Sequence, residues 1–175
     1  MNLPNLLAYI RTAAAPVVLG LVIAKQFVPA VVVFTIAALT DFADGYLARR
    51  WEATTVLGAF LDSVADKALV TGALVALLQV DRMWAWAAFV IIIRELAVMA
   101  LRGVAAMDKE AIPPSFWGKL KAVIQFVAIG SAMIRPAEQW GSFFADEWLM
   151  LVAVAVTVAS GVDYFVKAGR LLRTT

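Results

Sequence analysis

Four aspartates, Asp41, Asp44, Asp62 and Asp66, are the residues of this chain most able to do chemistry. Each lies at the edge of a long apolar run, where an uncompensated carboxylate costs on the order of 2.5–3.5 kcal/mol on membrane-insertion scales, somewhat less near the interface. Like charges this close need compensation, either protons or a multivalent cation. Oxygen donors without histidine or cysteine select hard ions, Mg²⁺, Mn²⁺ or Ca²⁺, over zinc or copper. Carboxylates from two helices can hold two such ions about 3.5–4 Å apart, a clamp suited to phosphoryl displacement. The chain contains no cysteine and no histidine, which removes disulfides, thiolate chemistry and the commonest general base.

The elements that must position these groups are helices. Of 175 residues, 63% are hydrophobic and 16% charged, far beyond the roughly 45–50% apolar usage of soluble domains. Apolar runs at 6–24, 29–48, 59–80, 84–105, 118–134 and 148–168 predict six transmembrane helices in an all-α bundle, each near the length of about 20 residues that a bilayer requires. Short polar connections at Gln26-Phe27-Val28, Asp81-Arg82-Met83 and Arg135-Pro136-Ala137-Glu138 separate them. Arg11 interrupts the start of the first run, and Ala13-Ala14-Ala15 precedes its apolar core, so that run is not expected to be a cleaved signal. With the N-terminus inside, Arg49, Arg50, Arg102, Lys109, Lys119, Lys121, Lys167, Arg170 and Arg173 collect on one side, leaving Lys25, Arg82 and Arg135 on the other. The positive-inside rule then places both termini in the cytoplasm. Tryptophans at span ends, Trp84, Trp86, Trp117, Trp140 and Trp148, suit an aromatic belt, and the tail VKAGRLLRTT a basic membrane-facing terminus.

On a helix turning about 100° per residue, Asp41, Asp44, Gly45, Ala48 and Arg49 fall within an arc of roughly 140°, and Gly58, Asp62 and Asp66 stack along one stripe. Read as Asp41-x2-Asp44-Gly45-x2-Ala48-Arg49-x8-Gly58-x3-Asp62-x3-Asp66, the stretch resembles the full signature of the CDP-alcohol phosphatidyltransferases. The likeness extends through NLPNLLAYIR, DGYLARRW, GAFLDSVADK, IIIRELAVMALR and WGKLKAVIQ, most of the first 135 residues, with Ser63 standing where many relatives have proline. Within the family it is greatest to members that join CDP-diacylglycerol to glycerol 3-phosphate. The resemblance implies one transferase domain over 1–175, with two divalent cations, Mg²⁺ or Mn²⁺, bound by Asp41, Asp44, Asp62 and Asp66. It makes Asp66 the general base as well, and Gly45, Ala48, Arg49 and Gly58 the cytidine diphosphate site. It also implies a homodimer in the bacterial cytoplasmic membrane with its site facing the cytoplasm, membrane lipid as surroundings, and no nucleic-acid partner.

A dianionic acceptor needs fixed cations. Arg94, Arg102, Lys119 and Lys121 are the candidates, Arg94 having a second reading as a buried ion pair with Glu95, and Arg102 and Lys119 as topology signals. Arg11 and Asn5 stand open between the same vestibule and interfacial anchoring. Two other functions remain: a sister transferase acting on inositol phosphate, serine or another alcohol, and a divalent-cation transporter. The latter is disfavoured by the lack of visible internal repeats, by the interfacial position of the aspartate cluster, and by the scarcity of polar groups in the outer halves of the spans away from their ends.

Overall fold

The computed structural model describes the backbone of residues 3–51, 56–107, 116–136 and 139–171, and the side chains of residues 9–40, 64–105, 116–136 and 139–169. Among the described residues there are six α-helices and one short hairpin: α1 Leu3–Ile23, α2 Phe27–Trp51, α3 Val56–Gln79, α4 Ala85–Met107, α5 Phe116–Ile134, β1 Gln139–Trp140, β2 Phe143–Phe144 and α6 Ala145–Leu171. The helices overlie the six apolar runs but extend past them into polar sequence. Among the described residues, two helices are long and apolar enough to cross a membrane, Phe116–Ile134 and Ala145–Gly169.

The chain forms two compact units. The first contains residues 1–83 and 129–135. Here α1 packs against α2 and α3, and the buried positions repeat at helical spacing. They include Arg11, Ala15, Val18 and Val22 on α1, Ala30, Phe34, Ala37 and Ala38 on α2, and Ala65, Leu69, Ala73, Ala76 and Leu77 on α3. Small residues allow close approach. A Cβ built on Gly72 would stand 3.5 Å from the carbonyl oxygen of Ala15, in ordinary contact with backbone.

Three helices end within this unit without glycine. Lys25, Asp81 and Arg135 follow α1, α3 and α5 with φ of 58°, 56° and 48°. The amide of Lys25 donates to Val22 O and that of Gln26 to Leu21 O, at 2.9 and 2.8 Å, and Asp81 and Arg82 repeat the pattern on Leu78 and Leu77. These are Schellman closures; Arg135, donating to Ser131 O, forms the simpler left-handed cap. The Arg82 guanidinium adds a hydrogen bond to Met133 O and lies 3.6 Å from the centre of the Phe27 ring. The first connection thus turns at residues 24–26, and Phe27, expected in a loop, opens α2.

The second unit contains residues 84–128 and 136–175. Helices α4 and α6 pack along Val98, Ala105, Tyr164 and Ala168, with Leu101 against them. The hairpin turns at Gly141, φ 72°, and Ser142, and its strands pair Gln139 with Phe144 and Trp140 with Phe143. Glu147 accepts the Phe144 amide at 2.8 Å, half of a capping box at the start of α6. Around the hairpin, Trp84 stacks on Trp86 and meets Phe143 edge-on, Phe143 meets Trp148, and Trp148 Nε1 donates to Trp140 O.

Candidate active site

The signature residues all fall in helical backbone. Asp41, Asp44, Gly45, Ala48 and Arg49 occupy the last three turns of α2; Gly58, Asp62 and Asp66 occupy the first three of α3. The helix runs on through Trp51 because no proline or glycine pair interrupts DFADGYLARRW, and glycine at 45 alone weakens a helix by about 1 kcal/mol. The side chains of Asp41, Asp44, Ala48, Arg49 and Asp62, and the surroundings of Gly45 and Gly58, lie outside the described residues, as does Asn5.

Asp66 is the signature side chain that is described. Its side chain is 27% exposed, and Lys67 Nζ stands 3.5 Å from its Oδ2, at the outer limit of a hydrogen bond. A half-exposed pair between neighbours in sequence contributes little to stability and leaves the carboxylate's other lone pairs uncommitted. Among the described residues no group of three or more metal-ligating side chains occurs. The donor set that α2 and α3 carry together, four carboxylates with neither histidine nor cysteine, fits a hard divalent cation.

The basic candidates divide sharply. Arg102 and Lys119 are exposed, on α4 and α5. Arg94 and Lys121 are not: their side chains are 11% and 7% exposed, and both donate to the same oxygen, Oε1 of Glu95. Arg94 Nη1 does so at 3.1 Å, while its Nη2 donates to Ser160 Oγ at 2.6 Å and its Cζ lies 5.6 Å from the centre of the Tyr164 ring. Gly161 leaves room for this arm, since a Cβ there would sit 3.2 Å from Arg94 Cγ. The Arg94–Glu95 ion pair therefore exists, and it is larger than a pair, joining α4, α5 and α6. Arg11 is fully buried in the stripe of α1 that faces its neighbours in the first unit.

Ser160, Gly161 and Tyr164 are not among the residues that the sequence singles out. The available signal was a serine–glycine step inside an apolar helix, with Tyr164 one turn on.

With this geometry in view, comparison with known proteins is specific. The CDP-alcohol phosphatidyltransferase family matches residues 1–159, and the chain belongs to that family. It is similar to a CDP-diacylglycerol--glycerol-3-phosphate 3-phosphatidyltransferase of Bacillus subtilis, 37% identical over 99% of this chain and 98% of the relative. A protein of the same description from Salmonella choleraesuis is 38% identical over 93% and 92%. A probable phosphatidylglycerophosphate synthase of Mycobacterium tuberculosis is 36% identical over 97% and 82%. The match runs past residue 135, where the motifs fade, and takes in most of α6.

Proposed function

We propose that this transferase moves the phosphatidyl group of CDP-diacylglycerol to glycerol 3-phosphate, giving phosphatidylglycerol phosphate and CMP. The observation that carries the proposal is the match of nearly the whole chain to relatives named for that reaction, with every signature position filled. The acceptor hydroxyl oxygen attacks the phosphorus bearing the diacylglycerol, the bond from that phosphorus to the CMP oxygen breaks, and CMP leaves with the electron pair. Asp66 takes the hydroxyl proton. Asp41, Asp44, Asp62 and Asp66 would hold two divalent cations, Mg²⁺ or Mn²⁺, whose charge would offset that of the pyrophosphate and the departing CMP. Gly45 and Gly58 let the cytidine diphosphate lie against backbone, Ala48 keeps that face shallow, and Arg49 offers it a cation.

The acceptor phosphate falls to Arg94, Arg102, Lys119 and Lys121. The exposed pair, Arg102 and Lys119, draws the dianion in, and the buried pair holds it. All six helices span the membrane as one transferase domain, with both termini and the site on the cytoplasmic side of a bacterial inner membrane, and two copies form a homodimer. The lysine and arginine distribution supports that orientation. Exposed apolar side chains such as Val28, Ile36, Leu39, Phe89 and Val162 support a lipid surround. A family of transferases gives the transport function no footing.

The test is to incubate purified protein with CDP-diacylglycerol and, separately, glycerol 3-phosphate, glycerol, serine and inositol phosphate, identifying the lipid product by mass. Phosphatidylglycerol phosphate as the main product is expected. A different preferred acceptor would move the chain to a sister activity, and no lipid product at all would remove the enzyme assignment.

A further inference from the structure

The ion-pair layer of the second unit is built in a way that bracing alone does not explain. Two cations from different helices converge on one carboxylate oxygen of Glu95, all three side chains nearly enclosed. Apolar residues of similar volume would hold three helices together with less desolvation. One turn from Lys121 on α5, Gln125 is 2% exposed, and neither its amide oxygen nor its amide nitrogen has a partner. One turn from Ser160 on α6, Thr157 is 0% exposed with its hydroxyl likewise unpartnered. The four- and three-residue spacings put them on the same helix faces as Lys121 and Ser160. Buried polar groups in native proteins are normally satisfied, so these faces suit a polar guest beside the two cations.

We propose that Glu95 is a positioning residue for the acceptor: it holds the Lys121 ammonium and the Arg94 guanidinium where they receive the acceptor's phosphate. The proposal rests on the assignment of those two cations to the acceptor, made above. An anion itself, Glu95 does not touch the phosphate. Its part is to fix beforehand a flexible lysine stem whose freedom would otherwise be lost on binding. Arg94 is also held on its other side by Ser160, and Lys121 meets Glu95 at the same carboxylate oxygen.

The experiment uses the full chain, solubilised with CDP-diacylglycerol, with initial rates measured against each substrate for Glu95→Gln, Glu95→Asp, Lys121→Gln and the Glu95→Gln/Lys121→Gln double variant. Glu95→Gln is expected to raise the KM for glycerol 3-phosphate about 10-fold or more, with that for CDP-diacylglycerol changing less than about twofold. Glu95→Asp should recover most of the loss. The double variant should be no worse than Lys121→Gln alone, because one residue acts through the other. Equal changes in both KM values, or additive losses in the double variant, overturn the positioning role. So does a harmless Glu95→Gln beside an impaired Lys121→Gln, whereas a harmless Lys121→Gln overturns the acceptor assignment itself. If Glu95→Gln does not accumulate as folded protein, the ratio of the two KM changes in Glu95→Asp decides by the same criterion.

Discussion

Gly161→Ala should separate function from stability. The added Cβ would meet Arg94 Cγ at 3.2 Å and Nε at 4.0 Å, against an optimum of roughly 3.5–4.0 Å between carbons. Arg94 must therefore give by a few tenths of an ångström, but its head is tied to Ser160 Oγ and Glu95 Oε1. Displacing the side chain from its rotamer costs about 0.5–1.5 kcal/mol. Replacing a helix-interior glycine by alanine returns about 0.8–1.0 kcal/mol, so the two terms nearly cancel. Stability should stay within about 1 kcal/mol of the parent. The guanidinium, however, is shifted, and a weakened charge-assisted contact worth about 1.5–3 kcal/mol lowers acceptor use roughly tenfold or more. The assay is thermal unfolding in detergent beside KM for each substrate. Gly130→Ala in α5, with nothing within 4 Å of the added Cβ, is the control that should keep both KM values. A Gly161→Ala protein with parental acceptor KM, or one that loses both substrates together, would refute the reasoning.

Asp41→Asn or Asp62→Asn should abolish turnover while leaving a folded, membrane-inserted protein by circular dichroism and size exclusion; near-parental activity in both would end the two-metal assignment. EDTA should remove activity and Mg²⁺ or Mn²⁺ restore it, with Zn²⁺ supporting it poorly because the donors are hard oxygens; full turnover in chelator would exclude a metal. Arg102→Ala and Lys119→Ala should each raise the KM for glycerol 3-phosphate about 10- to 150-fold at low salt, leaving that for CDP-diacylglycerol unchanged. Because both residues are exposed, that penalty should shrink as ionic strength rises, measured as the variant-to-parent ratio of KM across a salt series. A salt-independent ratio would contradict capture by exposed charge.

The helices were legible because each apolar run is long and its few charges leave it predominantly apolar, while their ends were not. Hydrogen bonding continues where apolarity stops, so α2 begins at Phe27 and runs through the charged residues to Trp51. The hairpin was missed although Gly141-Ser142 between Trp140 and Phe143 is a two-residue turn signal; strands of two residues carry no periodicity to detect. Adjacency suggested the Arg94–Glu95 pair, but Lys121 is 26 positions from Glu95 and Ser160 is 66 from Arg94. Such long-range partners follow from helix packing, which spacing along the chain does not encode. The aspartates stand out as candidates for the opposite reason: residue type and fixed gaps along α2 and α3 are enough to single them out.

The three left-handed helix ends leave the protein a reserve. For an L-residue this conformation costs roughly 1–2 kcal/mol relative to the right-handed form, and glycine, or to a lesser degree asparagine, relieves it. Lys25, Asp81 and Arg135 each carry that strain, and none belongs to the proposed chemistry. They are natural first positions for raising the thermal tolerance of an enzyme that must be handled in detergent, with single changes whose benefits should add because each closes a separate helix.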